Sequence, residues 1–145
     1  MSSNSNIYAR FKVGFDPEAP FLDVGDPDVY RYADLETLSA QVANFLSGLG
    51  LAPGDRVSVV CAKSPQLLWL YLGCIRAGYV YHPLNPSYTE NELAFFLRDA
   101  HTRVAFCDQS IESRVTEVAK NCPGIKHVVC VDDVAVDVLS PVWAL

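Results

Sequence analysis

The sequence has few basic residues, few histidines and no long apolar run. Its 145 residues include 11 Lys and Arg against 17 Asp and Glu, so the formal net charge is −6. Nucleic acids and anionic membranes bind basic patches, and this charge balance argues against both as partners. No apolar stretch approaches the roughly 18 residues that cross a bilayer. We therefore expect no membrane span.

A secretory signal is also missing from the beginning of the sequence. The segment MSSNSNIYARFK contains neither the apolar run nor the small-residue cleavage site of a signal peptide. This absence predicts a cytoplasmic protein.

The cysteines do not form a recognisable framework. There are 5 of them, an odd number with no C-x-x-C spacing, which excludes the usual zinc-site and disulfide patterns. Most lie inside apolar runs, where a thiol serves as a small hydrophobic side chain. We expect all of them to be structural: Cys61, Cys74, Cys107, Cys122 and Cys130.

Apolar residues make up 50% of the chain, which is typical of a globular domain rather than a disordered segment. Strand and helix patterns alternate from Arg56 onward, which predicts an α/β fold: a mainly parallel sheet with helices on both faces and right-handed crossovers. Two short extended runs separated by GDPD precede this part and predict an N-terminal hairpin. We find no repeat and no linker, so residues 1–145 form one unit.

Apolar periodicity and turn residues predict the limits of each element. The hairpin strands are expected at 21–24 and 29–32, the helices at 33–49, 65–77, 89–100 and 110–120, and the later strands at 56–61, 79–82, 103–107 and 127–131. Residues 1–6 are expected to be a frayed polar tail. The helix at 65–77 is apolar nearly all round, so we expect it to need covering on more than one side.

Several helix ends are predicted from single residues. Ser64 and Ser110 are expected to cap the helices that follow them, and Thr89 with Glu92 to form a capping box. Gly78 is expected at the left-handed position that ends a helix. The two prolines of PLNP, at 83 and 86, should exclude regular hydrogen-bonded structure there.

Three sequence segments carry a family resemblance. They are LAPGDRV, AKSPQLLWLYLGC and the pattern RAGxVYxPLNPxYTxNEL. In this order and spacing they resemble the N-terminal part of the adenylate-forming acyl-CoA synthetases, and within them the malonyl-CoA synthetase branch. The resemblance covers about Asn6 to Asp108. His82 departs from the usual apolar residue, and Arg31 from the Ser or Thr that commonly begins a helix in that family.

The resemblance implies an enzyme that uses ATP, Mg²⁺ and CoA. The parent would join a small carboxylic acid, malonate or a related one, to AMP with release of pyrophosphate, and then transfer the acyl group to CoA. The choice of acid and the oligomeric state stay open. Two alternatives also stay open: a free-standing, non-catalytic α/β binding module, and a truncated, non-functional gene product.

We do not recognise in this sequence the residues that adenylate formation requires. A phosphate-binding loop is recognised by clustered Gly, Ser, Thr and Lys, and no such cluster is present. By the resemblance, that loop, the ribose-binding aspartate and the catalytic lysine lie further along a full-length chain. We therefore expect an incomplete N-terminal subdomain with no catalytic, cofactor-binding or metal-binding residue, inactive and binding its cofactors poorly when alone.

The remaining polar candidates have a structural interpretation and a functional one. His82 lies beside the proline corner but has no acidic neighbour in sequence, and His101 and His127 are equally isolated, so all three are expected to be structural or exposed. Asp132 with Asp133 and Asp137 lacks the pattern of a calcium loop and favours a solvated turn.

Lys63 and Ser64 lie between a strand and a helix, where α/β sheets bind anions. Capping is the interpretation we favour for them, with a ligand crevice as the alternative. Trp69, Tyr71 and Tyr81 recur at core-like spacing and are expected to pack rather than to stack on a nucleotide.

Overall fold

A computed structural model gives the fold and describes residues 6–25 and 29–132. Its elements follow the predicted alternation. In order they are α1 Ile7–Lys12, β1 Pro20–Asp23, β2 Val29–Arg31, α2 Tyr32–Gly48, β3 Arg56–Val60, α3 Pro65–Ala77, β4 Val80–Pro83, α4 Glu90–Asp99, β5 Thr102–Cys107, α5 Glu112–Lys120 and β6 His127–Cys130. None of the described helices is long and apolar enough to cross a membrane.

The main sheet has four parallel strands in the order β4-β3-β5-β6. The chain moves outward in one direction from β3 to β4 and in the other from β5 to β6. With crossovers of one handedness, α3 and α5 must then lie on opposite faces. The predicted α/β class with helices on both faces is confirmed.

Alternate strand residues fill two separate cores. On one face Val57 and Phe106 pack with α2 and α3, and on the other Val60 and Ala105 pack with α4 and α5. The side chains of successive strand residues point to opposite faces, so the near-continuous apolar runs of β3 and β5 serve both cores.

The predicted hairpin is confirmed and lies against α3. β1 and β2 pair antiparallel, and the rings of Phe21 and Tyr30 lie 6.0 and 5.1 Å from that of Trp69. Residues 26–28 of the connecting turn lie outside the described residues. The hairpin therefore covers part of the helix that is apolar nearly all round.

α3 also packs closely on α2. A Cβ added at Gly73 would lie 2.4 Å from Cγ1 of Val42, so only glycine allows this approach. Trp69 and Cys74 are fully buried, whereas Tyr71 remains 39% exposed. Much of the covering that the sequence required for α3 thus comes from this chain itself.

Two predicted helix ends are confirmed. Gly78 has φ 83° after the last turn of α3. The Thr89 side chain accepts the Glu92 N–H, and the Glu92 carboxylate accepts the Thr89 N–H at 2.8 Å.

One predicted cap is confirmed in position only, and one is wrong. Ser64 occupies the N-cap position of α3, but its side chain makes no capping hydrogen bond. α5 begins at Glu112 rather than at Ser110, because the Asp108 carboxylate accepts the Ser110 N–H at 3.0 Å and holds these residues in a turn. A hydroxyl before a helix predicts a cap only where no stronger acceptor competes.

The proline corner begins one residue later than predicted. β4 includes Pro83, although proline donates no hydrogen bond. The Val80 N–H donates to the carbonyl of Asp55, the residue before β3, and the Leu84 N–H donates to the carbonyl of Val59 in β3. Pro83 alternates with them, at a position facing away from β3 on an edge strand, where a missing donor costs little.

Asn6 is not part of a frayed tail. Its Oδ1 accepts the Tyr8 N–H at 2.9 Å and caps α1, while its Nδ2 donates to the carbonyls of Ile75 and Arg76 at 3.0 and 3.1 Å. One side chain thus satisfies the beginning of α1 and the end of α3. The sequence signal was an Asn before a short amphipathic run.

Candidate functional site

The topology places a switch point at the carboxyl ends of β3 and β5. From these neighbouring strands the chain leaves toward opposite faces, and such switch points are where open α/β sheets bind ligands. The loops that meet there follow β3, β5 and β6, and we define this edge by residues 61–64, 108–111 and 131–132.

Two carboxylates connect these loops. Asp108 Oδ2 accepts the Ala62 N–H at 2.8 Å, and Asp132 Oδ2 accepts the Gln109 N–H at 2.7 Å. Asp108 Oδ1 also accepts the N–H and the hydroxyl of Ser110. Three backbone N–H groups at this edge, those of Ala62, Gln109 and Ser110, are therefore already bound to the chain's own carboxylates.

The charge state of Asp108 follows from these contacts. Burial acts to raise its pKa, but the hydrogen bonds from Ser110, Ala62 and Ile111 outweigh burial, and the pKa is lowered. Asp108 thus remains an anion that orders the edge. Asp108 was not among the predicted candidates, although an aspartate directly after a buried strand was the available signal.

The neighbouring thiols are held in the protonated form by burial. Burial, followed by the negative charges of Asp108 and other groups, raises the pKa of Cys61 to about 12. Burial also raises the pKa of Cys107 and of Cys74 to about 12. All five cysteines are buried free thiols, as the sequence predicted.

Lys63 and Ser64 reach this edge but form no cradle. The Lys63 side chain is exposed and makes no hydrogen bond or ion pair with a described residue. Ser64 is half-buried, without a side-chain cap. Ser64 thus holds the predicted N-cap position through its backbone alone, and the two residues build no anion site.

The loop after β4 is held against α5 by one arginine. Arg114 Nη1 donates to the carbonyls of Pro86 and Tyr88 at 3.3 and 3.0 Å. This contact restrains the corner between β4 and α4, next to the candidate site.

His82 lies away from this edge, on the face of the sheet under α4. Its Nδ1 lies 2.8 Å from Ser58 Oγ, which lies 2.6 Å from Thr102 Oγ1. Ser58 and Thr102 are buried. We call these three residues the polar chain; the contact of His82 with Ser58 agrees with a structural role for His82, which stays a prediction.

The other single candidates are also accounted for. His101 and His127 are exposed, and each has a ring nitrogen close to a backbone carbonyl oxygen, those of Asp99 and Leu49. The aromatic rings pack as predicted, Tyr71 against Tyr81 at 5.4 Å. Asp133 and Asp137 lie outside the described residues, within which no group of three metal-binding side chains occurs.

The sequence profile described as AMP-binding enzyme matches residues 12–144, nearly the whole chain. The chain belongs to this family. The match extends beyond Asp108, where the resemblance noted from the sequence ended.

Solved structures of the AMP-binding family share the fold. The apo form of MatB from Rhodopseudomonas palustris is 36% identical with a TM-score of 0.80, over 90% of this chain and 26% of MatB. The N-terminal domain of FACL13 from Mycobacterium tuberculosis has a TM-score of 0.70 at 23% identity, over 74% of this chain and 28% of that one. The chain is thus the N-terminal region of the adenylate-forming fold.

Curated relatives include two kinds of synthetase. The AMB antimetabolite synthetase AmbB of Pseudomonas aeruginosa is 40% identical over 63% of this chain and 7% of its own length. The mitochondrial acyl-coenzyme A synthetase ACSM2A of Homo sapiens is 30% identical over 75% of this chain and 19% of its own. The chain spans less than a quarter of the length of either relative.

Proposed function

We propose that this chain is the N-terminal subdomain of an ATP- and CoA-dependent acyl-CoA ligase acting on malonate or a related small carboxylic acid. The observation that supports malonate is the 36% identity with MatB, a malonyl-CoA synthetase, at TM-score 0.80 over 90% of this chain. An ATP-bound MatB structure matches equally well, at TM-score 0.81. The anthranilate CoA ligase AuaEII, at 20% identity, supports the fold alone.

The proposed reaction has two steps. The acid's carboxylate oxygen attacks the α-phosphorus of ATP and pyrophosphate leaves. The CoA thiol then loses its proton and attacks the acyl carbon, and AMP leaves. Each step develops negative charge that needs preorganised donors.

In this chain the N–H groups of Ala62, Gln109 and Ser110 are already bound by carboxylates. We therefore propose that these 145 residues supply a rigid sheet and its edge, and do not catalyse adenylation alone. A cytoplasmic location likewise stays a prediction, since ACSM2A is named as mitochondrial.

A segment exchange tests this proposal. The part of MatB that aligns with this chain is replaced by residues 1–145, and pyrophosphate release and malonyl-CoA are measured with malonate, ATP, Mg²⁺ and CoA. We expect the chimera to turn over malonate. The isolated chain should release no pyrophosphate above a buffer blank.

The matched control is the corresponding AuaEII segment in the same MatB host. Equal malonate activity from both chimeras would remove the support for malonate. A folded but inactive chimera of this chain would favour the non-catalytic binding module instead. Pyrophosphate release by the isolated chain would contradict the proposed division of roles.

A further inference from the structure

A cavity lies at the edge of the sheet opposite the candidate site. It occupies about 290 Å³ between the end of α4, the beginning of β5 and the loop from α5 to β6. That volume is near the lower end of small-molecule pockets. The proposed adenylation chemistry assigns no part to this cavity.

Its walls are apolar and its floor is fixed. Leu97, Cys122 and Ile125 line the walls, and Leu97 and Cys122 are almost fully buried. Thr102, which is 1% exposed, forms the floor and is held by its hydrogen bond to Ser58. An apolar group entering this cavity meets a preformed surface rather than a loop that must first be ordered.

The rim carries positive charge in a protein whose net charge is −6. Arg98 and Arg103 both line the cavity. Arg103 Nε lies 3.7 Å from Asp55 Oδ1, so its charge is partly balanced. Arg98 Nε donates to the Ala94 carbonyl, and no described carboxylate lies within 4.0 Å of Arg98. The two terminal nitrogens of Arg98 remain able to bind an anion.

We propose that this cavity binds a small carboxylic acid with a compact apolar body, at a site separate from adenylation. A guanidinium binds a carboxylate through two parallel hydrogen bonds, and the apolar walls take the rest of the molecule. Phosphate fits less well, because it has no apolar part to place against the walls. The inference does not depend on the proposed function.

The test uses the full 145-residue chain and benzoate as the probe. Backbone amide chemical shifts are followed by NMR during titration with benzoate, with its neutral analogue benzyl alcohol, and with inorganic phosphate. We expect saturable shifts at Thr102, Cys122 and Gly124 with benzoate alone. Saturation by benzyl alcohol with equal affinity would overturn the role of the arginines, and saturation by phosphate would overturn the carboxylic acid.

Variants separate the rim from general charge. Arg98→Gln should weaken benzoate binding about tenfold or more, the usual effect of losing a hydrogen bond to a charged group. The benzoate affinity of Arg98→Lys should lie between those of the parent and of Arg98→Gln, because lysine keeps the charge but lacks the paired donors. Arg10→Gln, on the exposed side of α1 and remote from the cavity, should leave binding unchanged. Absence of saturable shifts in the parent, or equal weakening by Arg10→Gln, would overturn the proposal.

Discussion

The helices α3 and α4 cross the same sheet on opposite faces, and they are positioned in different ways. Neighbours surround α3: the hairpin covers Trp69, and α2 approaches at Gly73. α4 buries Leu93 and Leu97 on one side, while Phe95 on the other is 58% exposed. A helix buried on several sides is positioned by tertiary contacts, whereas a helix with one apolar stripe depends more on its own ends.

The two helix ends support this difference. α4 begins with a complete capping box, while α3 begins at Pro65 without a side-chain cap. At its carboxyl end α3 receives donors from a distant residue, since Asn6 binds the carbonyls of Ile75 and Arg76. Local sequence rules therefore describe α4 better than α3.

The largest expected effect is at the contact between α2 and α3. In Gly73→Ala the new Cβ would lie 2.4 and 2.6 Å from side-chain atoms of Val42 and 3.2 Å from the Ala43 nitrogen. We expect a loss of about 3 kcal/mol in unfolding free energy, the upper part of the range for overpacking. Urea unfolding measures it.

Gly48 provides the matched control, because a Cβ there meets nothing within 4 Å. Gly48→Ala, in the last turn of α2, should raise stability by up to about 1 kcal/mol, since alanine favours the helix. If both variants are equally stable, α2 and α3 do not need their close approach, and the contrast with α4 loses its main support.

The second prediction compares the residues after the two helices. Gly78 and His101 both have left-handed backbone, φ 83° and 52°. Gly78→Val places a β-branched side chain in a strained conformation and should cost roughly 1–3 kcal/mol. His101→Gly removes the conflict between a side chain and left-handed backbone, and should raise the unfolding free energy by up to about 1 kcal/mol. The denaturant midpoint should fall in Gly78→Val and rise in His101→Gly, each relative to the parent. A Gly78→Val variant as stable as the parent would contradict the position of the helix end.

Much of this architecture could be predicted from the sequence, for a physical reason. Gly78 ends a helix, and Thr89 with Glu92 begins one. These residues act on neighbouring backbone groups, so their roles follow from local spacing alone. The order β4-β3-β5-β6 could not be predicted, because apolar runs do not specify which strands are neighbours. The contacts of Asn6 with α3 could not be predicted, because its acceptors there are 69 and 70 residues away.

The candidate edge was only partly predictable for the same reason. Lys63 and Ser64 were identified from their place between a strand and a helix, but nothing local indicated that Asp108 accepts the Ala62 N–H, 46 residues away. That contact decides whether the edge offers free donors. Chemistry at a sheet edge depends on which loops meet there, and the strand order determines this.

The third prediction compares the beginnings of the two helices. Thr89→Ala removes a side chain that accepts the Glu92 N–H and should cost about 1 kcal/mol. Ser64→Ala removes a hydroxyl that makes no capping hydrogen bond, and should lower the unfolding free energy by only a few tenths of about 1 kcal/mol. Equal costs in urea unfolding would show that Ser64 does cap α3 in solution.

The smallest expected effect concerns the polar chain under α4. Burial lowers the pKa of His82 from 6.5, and the negative charge of Asp99 opposes this shift only in part. The unfolded chain therefore binds a proton at His82 at higher pH than the folded chain does. Stability should be lost as pH falls through 6.5 toward the folded-state pKa.

His82→Asn isolates this term, since the asparagine side chain can still hydrogen-bond Ser58 but does not titrate. Unfolding free energies of the parent and the variant are compared about one pH unit above and one below 6.5. The carboxylates whose pKa is lowered, Glu92 and Asp108 among them, are present in both proteins and cancel in the difference. We expect the parent to lose more stability than the variant on acidification. Parallel losses would mean that His82 is solvated, and that only Ser58 and Thr102 of the polar chain are buried under α4.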